Sequence, residues 1–173
     1  LDSLGIPAPV VRCDPPSEPR GWLAKQAGGA GGVHVRIARP GSKSRAGRYF
    51  QRFVAGRSLS SLFVADGRHT RPIGVSEQWP VGADCPRRPF SFGGAISDAP
   101  IPTAVRAQVE DWGARLTARV GLVGLNGIDF ILDDAGRPHC IEINPRPTAT
   151  AELYDERAQG GLFTWHLNAC AGR

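Results

Sequence analysis

The sequence predicts an α+β protein dominated by antiparallel strands. Three observations carry this reading: strand-like segments broken by Gly-containing turns between residues 22 and 79, one amphipathic helix over 102–121, and an alternating hairpin over 127–144. A length of 173 residues suits one globular domain or two small lobes sharing a site.

The elements follow in chain order. Residues 1–9 read as the tail of a helix followed by a Gly5-Ile6-Pro7 linker. Residues 22–25 form a short apolar strand, and a loop with four glycines, Gly28, Gly29, Gly31 and Gly32, comes next. Residues 33–37 alternate as a half-buried strand should, and 40–47 are loop. Strands are expected over 49–54, ended by Ala55-Gly56, over 59–65, ended by the hairpin signal Asp66-Gly67, and over 71–79. Four prolines between residues 83 and 102 predict a long surface loop. Val105, Val109, Trp112, Leu116 and Val120 then recur at helical spacing, with Pro102 suited to the first turn and Gly121 to the stop.

Composition narrows the function. With 41% hydrophobic residues a core can be buried, which argues against a disordered or collagen-like chain. No apolar run approaches the roughly 18–20 residues that span a bilayer, and Leu1-Asp2-Ser3-Leu4 does not start a signal peptide. A soluble, cytoplasmic protein with no membrane partner is expected. The net charge of +5 comes from arginine, since Lys25 and Lys43 are the only lysines. The arginines are dispersed, so nucleic acid is not expected as partner, and an anionic small molecule fits better. Cys13, Cys85, Cys140 and Cys170 make no CxxC pair and read as reduced thiols. No methionine occurs, even at position 1, so the sequence reads as a piece of a longer protein.

The most informative segment is the hairpin. Ile128, Phe130, Leu132, Ile141 and Ile143 fall on one face, the expected core side, and Asp129, Glu142 and Asn144 on the other. A turn centred on Ala135-Gly136 sets Asp129 opposite Glu142, and Asn144 opposite Gly127, which has no side chain to obstruct it. Two carboxylates facing each other repel. An amide oxygen beside them makes the group suit a hard cation such as Mg²⁺, which takes oxygen ligands and shares its shell with phosphates. The plainer alternative is a solvated sheet face.

The glycine loop follows a strand bearing Lys25, an arrangement in which backbone N–H groups and one ammonium approach phosphate oxygens. It is neither a P-loop, because Val33-His34 stands where Lys-Ser/Thr is needed, nor a G-x-G-x-x-G fingerprint. A flexible hairpin tip is the alternative.

Together, Leu23-Ala24-Lys25 with the Gly-rich loop, the run from Tyr49 through Gln51, Arg52, Phe53 and Val54 to Gly56, and Gly127-Ile128-Asp129-Phe130 with Glu142-Ile143-Asn144-Pro145-Arg146 resemble the ATP-grasp superfamily of ligases. The resemblance implies an ATP-grasp fold of two α+β lobes with antiparallel sheets clasping ATP. A small lobe over 1–48, cut short at its N-terminal side, would carry the Gly-rich loop. A large lobe over 49–173 would carry the hinge strand, the helix and the metal hairpin. Lys25 and the glycines would contact phosphates, and Gln51, Arg52, Phe53 and Val54 would form the hinge reading adenine. Asp129, Glu142 and Asn144 would bind Mg²⁺ or Mn²⁺, and Arg146 would lie near the transferred phosphoryl group or carboxylate. With Pro145 and Pro147 on either side, Arg146 is expected to be extended on the metal side, the alternative being a surface arginine paired with Glu152 or Asp155.

The implied reaction activates a small-molecule carboxylate as an acyl-phosphate for attack by an amine. The look of residues 90–94 and 144–148 is closest to the tyramine–glutamate ligase type of cofactor synthesis. Three features depart from the family pattern. Ser58 stands where a ribose-binding Glu is usual, Gly127 where many members have Arg, and the family's earlier ATP-binding lysine would lie in an upstream domain of the same protein. A non-catalytic or degenerate ATP-binding domain is therefore the alternative function.

Overall fold

Antiparallel pairing organises the chain into two sheets, seen here in a computed structural model that describes residues 1–82 and 85–173. The strands are β1 (Val11–Arg12), β2 (Trp22–Gln26), β3 (Arg36–Ile37), β4 (Arg48–Arg52), β5 (Arg57–Asp66), β6 (Thr70–Pro80), β7 (Phe92–Ile96), β8 (Val123–Leu132) and β9 (Pro138–Asn144). The helices are α1 (Thr103–Val120) and α2 (Leu162–Cys170), with 3-10 segments at Asp2–Leu4 and Ala149–Arg157. The sheet orders are β1-β4-β2-β3 and β7-β6-β5-β8-β9.

The chain divides into two compact units. One comprises Leu1–Ala8, Gly56–Glu77 and Ala95–Arg173; the other comprises Pro9–Ala55 and Gln78–Gly94. The cut expected after residue 48 follows chain order, whereas compactness groups residues 49–55 and 78–94 with 9–48.

In the first unit α1 covers one face of the sheet. Leu59, Phe63, Ile128 and Phe130 pack beneath Val109, Trp112 and Leu116, all of them buried. Trp112 meets Phe130 edge to face at 6.4 Å between ring centroids. The helix ends as its sequence requires. The Arg106 N–H donates to the Pro102 carbonyl at 3.0 Å, and Gly121 turns left-handed (φ +68°) and donates to Thr117. Val120, expected in the core, is 63% exposed, because the apolar stripe runs out one turn before the helix does.

The opposite face has apolar cover over part of its length. Leu62 and Leu125 are buried by Tyr154 of the Ala149–Arg157 segment, by Ala158 just after it and by Leu162 of α2. Ser60 on β5 and Asp129 on β8 are paired across the ladder farther along that same face. The apolar cover thus belongs to one stretch of the face and the polar residues to another.

The expected strand over 33–37 is reduced to Arg36–Ile37, because His34 folds back against Gly29, and the expected loop over 83–102 contains β7. Ala83 and Asp84 lie outside the described residues. Helix α2, the segment Ala149–Arg157 and β1 are elements that no periodicity signalled.

Candidate functional site

The β8–β9 hairpin carries the acidic group, and its register is not a simple ladder. The turn centres on Ala135, half a residue before the expected centre, which shifts the register by one. Asp133 pairs through its N–H with the Arg137 carbonyl at 3.0 Å, and Gly136 occupies the left-handed position (φ +76°) of a three-residue loop. Phe130 consequently faces Cys140, and Leu132 faces Pro138. An irregularity between Asp129 and Phe130 then leaves Ile141 as the extra residue and restores Asp129 opposite Glu142 and Gly127 opposite Asn144. Cys140, 1% exposed, therefore takes the core position expected of Ile141, and Ile141 is only half-buried. Burial pushes the Cys140 thiol up to about 11.

On the polar side, Asn144 is 6% exposed and bonded at both its amide nitrogen and its oxygen. Its Nδ2 donates to Asp129 Oδ2 at 3.1 Å, and its Oδ1 accepts from Arg146 Nη2 at 3.1 Å. The chain does not stay extended at Arg146 as expected. The Arg146 N–H donates to the Asn144 carbonyl at 2.8 Å, a one-residue turn about Pro145 that sends the guanidinium back over the Asn144 amide, with Nη1 on the Pro147 carbonyl at 3.2 Å. The space over Gly127 is filled as well, since a Cβ there would lie 2.8 Å from the Thr148 methyl. Glu142 is exposed and Asp129 half-buried.

Ser60 is a neighbour of the acidic pair that the sequence reading missed. It is 2% exposed and directly opposite Asp129, and Ser58, facing Ile131, lies on the same face two residues away. The available signal was serine at the alternate positions 58 and 60, followed by the apolar run Leu62-Phe63-Val64-Ala65. Among the described residues no three His, Cys, Asp or Glu side chains gather as a metal cluster. The donors presented to a cation are the two carboxylates of Asp129 and Glu142, since the Asn144 oxygen is taken by Arg146. That set fits Mg²⁺, which binds through one or two carboxylates plus substrate phosphates, better than a metal needing an all-protein cage.

A second acid lies at the hairpin tip. Asp133 accepts from the Ala135 and Arg137 N–H groups at 3.0 and 2.9 Å, and its other oxygen meets His139 Nε2 at 2.9 Å and Arg137 Nε at 3.0 Å. These bonds, His139 foremost, hold its carboxyl well below the usual carboxylate range.

The remaining candidates belong to the other unit. Lys25 is 9% exposed on β2 and pairs with Tyr49, while Gln51, 5% exposed on β4, pairs with Leu23; the pleat puts Lys25 and Gln51 on one sheet face. Arg52 lies over the Trp22 ring at 5.7 Å, and its N–H donates to Val10. The Phe53 N–H donates to Gly21 at 2.9 Å, the residue is 48% exposed, and Val54 is half-buried.

The glycine loop divides in two. A Cβ at Gly28 or Gly31 would meet nothing within 4 Å, whereas one at Gly29 would strike the His34 ring and one at Gly32 would lie 1.8 Å from the Phe90 carbonyl oxygen. The Phe92 N–H donates to the Gly31 carbonyl at 2.9 Å, fastening the loop to β7. Burial first, and the Lys25 charge second, hold the His34 imidazole below its ordinary value.

A model of the ATP-grasp domain matches residues 1–150. A D-alanine–D-alanine ligase of Bordetella petrii is 30% identical over 123 residues, covering 69% of this chain and 38% of the relative. A solved Archaeoglobus fulgidus chain described as of the ATP-grasp superfamily superposes with a TM-score of 0.67 at 24% identity, over 96% of this chain and 48% of that one. An L-amino acid ligase from Bacillus licheniformis gives 0.72 at 17% identity, over 98% and 45%. The chain thus spans less than half the length of these relatives. With the family model matched over residues 1–150 of 173 and an antiparallel α+β architecture, the chain belongs to the ATP-grasp domain family.

Proposed function

We propose that this chain is the nucleotide-binding part of an ATP- and Mg²⁺-dependent ligase that joins a carboxylate to an amine. The observation that carries the reading is the Asp129–Glu142 pair with Asn144 and Arg146 beside it, on a fold whose relatives include proteins named as D-alanine–D-alanine and L-amino acid ligases. In this reading Asp129, Glu142 and Asn144 hold Mg²⁺ or Mn²⁺, which when bound offsets phosphate charge. Lys25, with Gly28, Gly29, Gly31 and Gly32, contacts the phosphates. Gln51, Arg52, Phe53 and Val54 line the base and Ser58 the ribose. Because the N–H groups of Arg52 and Phe53 are already used, a base would be read there through carbonyls or through Val54.

A carboxylate oxygen attacks the γ-phosphorus, the bond to the β-bridging oxygen breaks, and ADP leaves. An amine nitrogen then attacks the acyl carbon, loses a proton, and expels phosphate. The residues contribute position and charge, with Arg146 as the donor to phosphoryl or carboxylate oxygen. No side-chain nucleophile is required. Action in cofactor synthesis, a cytoplasmic setting and an upstream domain in the same protein belong to the proposal; among the described residues no helix is long and apolar enough to cross a membrane.

The test is ADP release by the full-length protein with Mg-ATP and pooled L- and D-amino acids and small amines. Amine-dependent release, lowered by a factor on the order of 10²–10³ in Arg146→Ala, is expected. The serine at position 58 favours a degenerate domain as the second reading, for which nucleotide would bind and no acceptor would release ADP.

A further inference from the structure

The hydrogen-bond chain from Arg146 through Asn144 to Asp129 has a fixed direction. A guanidinium only donates and a carboxylate only accepts, so the amide between them must give its nitrogen to Asp129 and its oxygen to Arg146. This orientation is incompatible with a cation held jointly by Asp129 and Asn144, because the N–H that faces the carboxylate would face the cation too. To share a cation, the amide must turn half a revolution about its last side-chain bond. Asn144 is 6% exposed, so the groups around it, rather than water, decide between the two positions. In the turned position Nδ2 faces the guanidinium, donor against donor, and the Arg146 contact is lost.

We propose that the Asn144 amide is a two-position switch that couples cation capture at Asp129 and Glu142 to release of the Arg146 guanidinium. The proposal rests on the metal reading given above. With the amide nitrogen toward Asp129, Arg146 is fastened at two points, Asn144 Oδ1 and the Pro147 carbonyl. With the amide oxygen toward the cation, one of the two is withdrawn. The turn at Pro145 still anchors the Arg146 backbone beside the acidic pair, so the freed guanidinium has a short path to any anionic group brought there. Arg146 is then a donor made available only after the cation is in place, and Asn144 is the positioning residue.

The experiment is side-chain NMR on the ¹⁵N-labelled chain, titrated with Mg²⁺ in the presence of ADP. The Arg146 Nε–H signal is identified by its loss in Arg146→Lys, and the Asn144 amide signals by their loss in Asn144→Asp. Both sets are expected to shift with one midpoint, and hydrogen exchange at the Arg146 guanidinium to quicken about tenfold, the scale of one lost hydrogen bond. In Asn144→Asp either oxygen can accept, so the guanidinium should stay held and slow at saturating Mg²⁺. Unchanged Arg146 exchange at saturation, or equal quickening in Asn144→Asp, overturns the switch while leaving the metal reading intact. If Glu142→Gln shows the same Mg²⁺-dependent shifts as the parent chain, the metal reading falls, and the switch with it.

Discussion

Asn144 Nδ2 donates to Asp129 Oδ2 at 3.1 Å across the β8–β9 pair, tying the last residue of β9 to a carboxylate that faces another carboxylate, Glu142. Opposed like charges destabilise a sheet, so this arrangement has a cost that a bound cation would remove. Replacing Glu142 by Gln should weaken Mn²⁺ binding on the order of 100-fold while leaving the melting temperature unchanged or slightly raised. Paramagnetic resonance of free Mn²⁺ and a circular dichroism melt check the two halves. A large drop in melting temperature would make Glu142 a structural residue.

Lys25 is nearly buried on β2, opposite Tyr49 and just ahead of the glycine loop. An ammonium and a planar guanidinium are not interchangeable in such a place. Lys25→Arg is therefore expected to weaken ATP binding about tenfold, or ~1.4 kcal/mol, despite the conserved charge. Titration calorimetry measures it directly, and equal affinities would remove Lys25 from phosphate contact.

Gly56 immediately precedes β5 with φ +147°, and a Cβ there would lie 2.2 Å from the Leu132 carbonyl oxygen and 2.9 Å from the Asp133 Cα. Both neighbours are backbone and cannot swing aside. Gly56→Ala should cost about 3 kcal/mol, toward the upper end of ordinary single substitutions. The shift in urea midpoint at constant slope reports this, and a cost below about 1 kcal/mol would mean that the strand relaxes.

Asp133 gives a pH dependence of definite sign. Its native carboxyl titrates below the unfolded value of about 3.9, so the stabilisation is fully present above that pH and is lost as pH falls toward the native value. Asp133→Asn should lower the melting temperature at pH 7, and the gap between variant and parent should narrow below about pH 4. Melts at pH 7 and at successive steps from 5 to 2 test it; a gap that does not change with pH would show that hydrogen bonding alone, and not ionisation, matters there.

Local chemistry in the sequence determined much of this protein. The 3.6-residue spacing of Val105, Val109, Trp112 and Leu116 and the Gly121 stop defined α1, because one buried stripe and one left-handed residue suffice to do so. Asp66-Gly67 defined the β5–β6 turn, where Asp66 takes the N–H groups of Arg68 and His69 and is held down to about 2. The family motifs carried the fold, and period-two alternation put Asp129 and Glu142 on the same side. Tertiary structure decided the rest. The turn at Asp133–Arg137 shifts the register by one residue and the irregularity at Ile141 shifts it back, so Asp129 meets Glu142 through two compensating deviations that no periodicity displays. Cys140 rather than Ile141 reaches the core for the same reason. The Arg146–Asn144–Asp129 chain likewise depends on a one-residue turn about Pro145 and on nearly complete burial of one amide. Alternation is a property of one strand, whereas register and amide orientation are properties of everything packed around it.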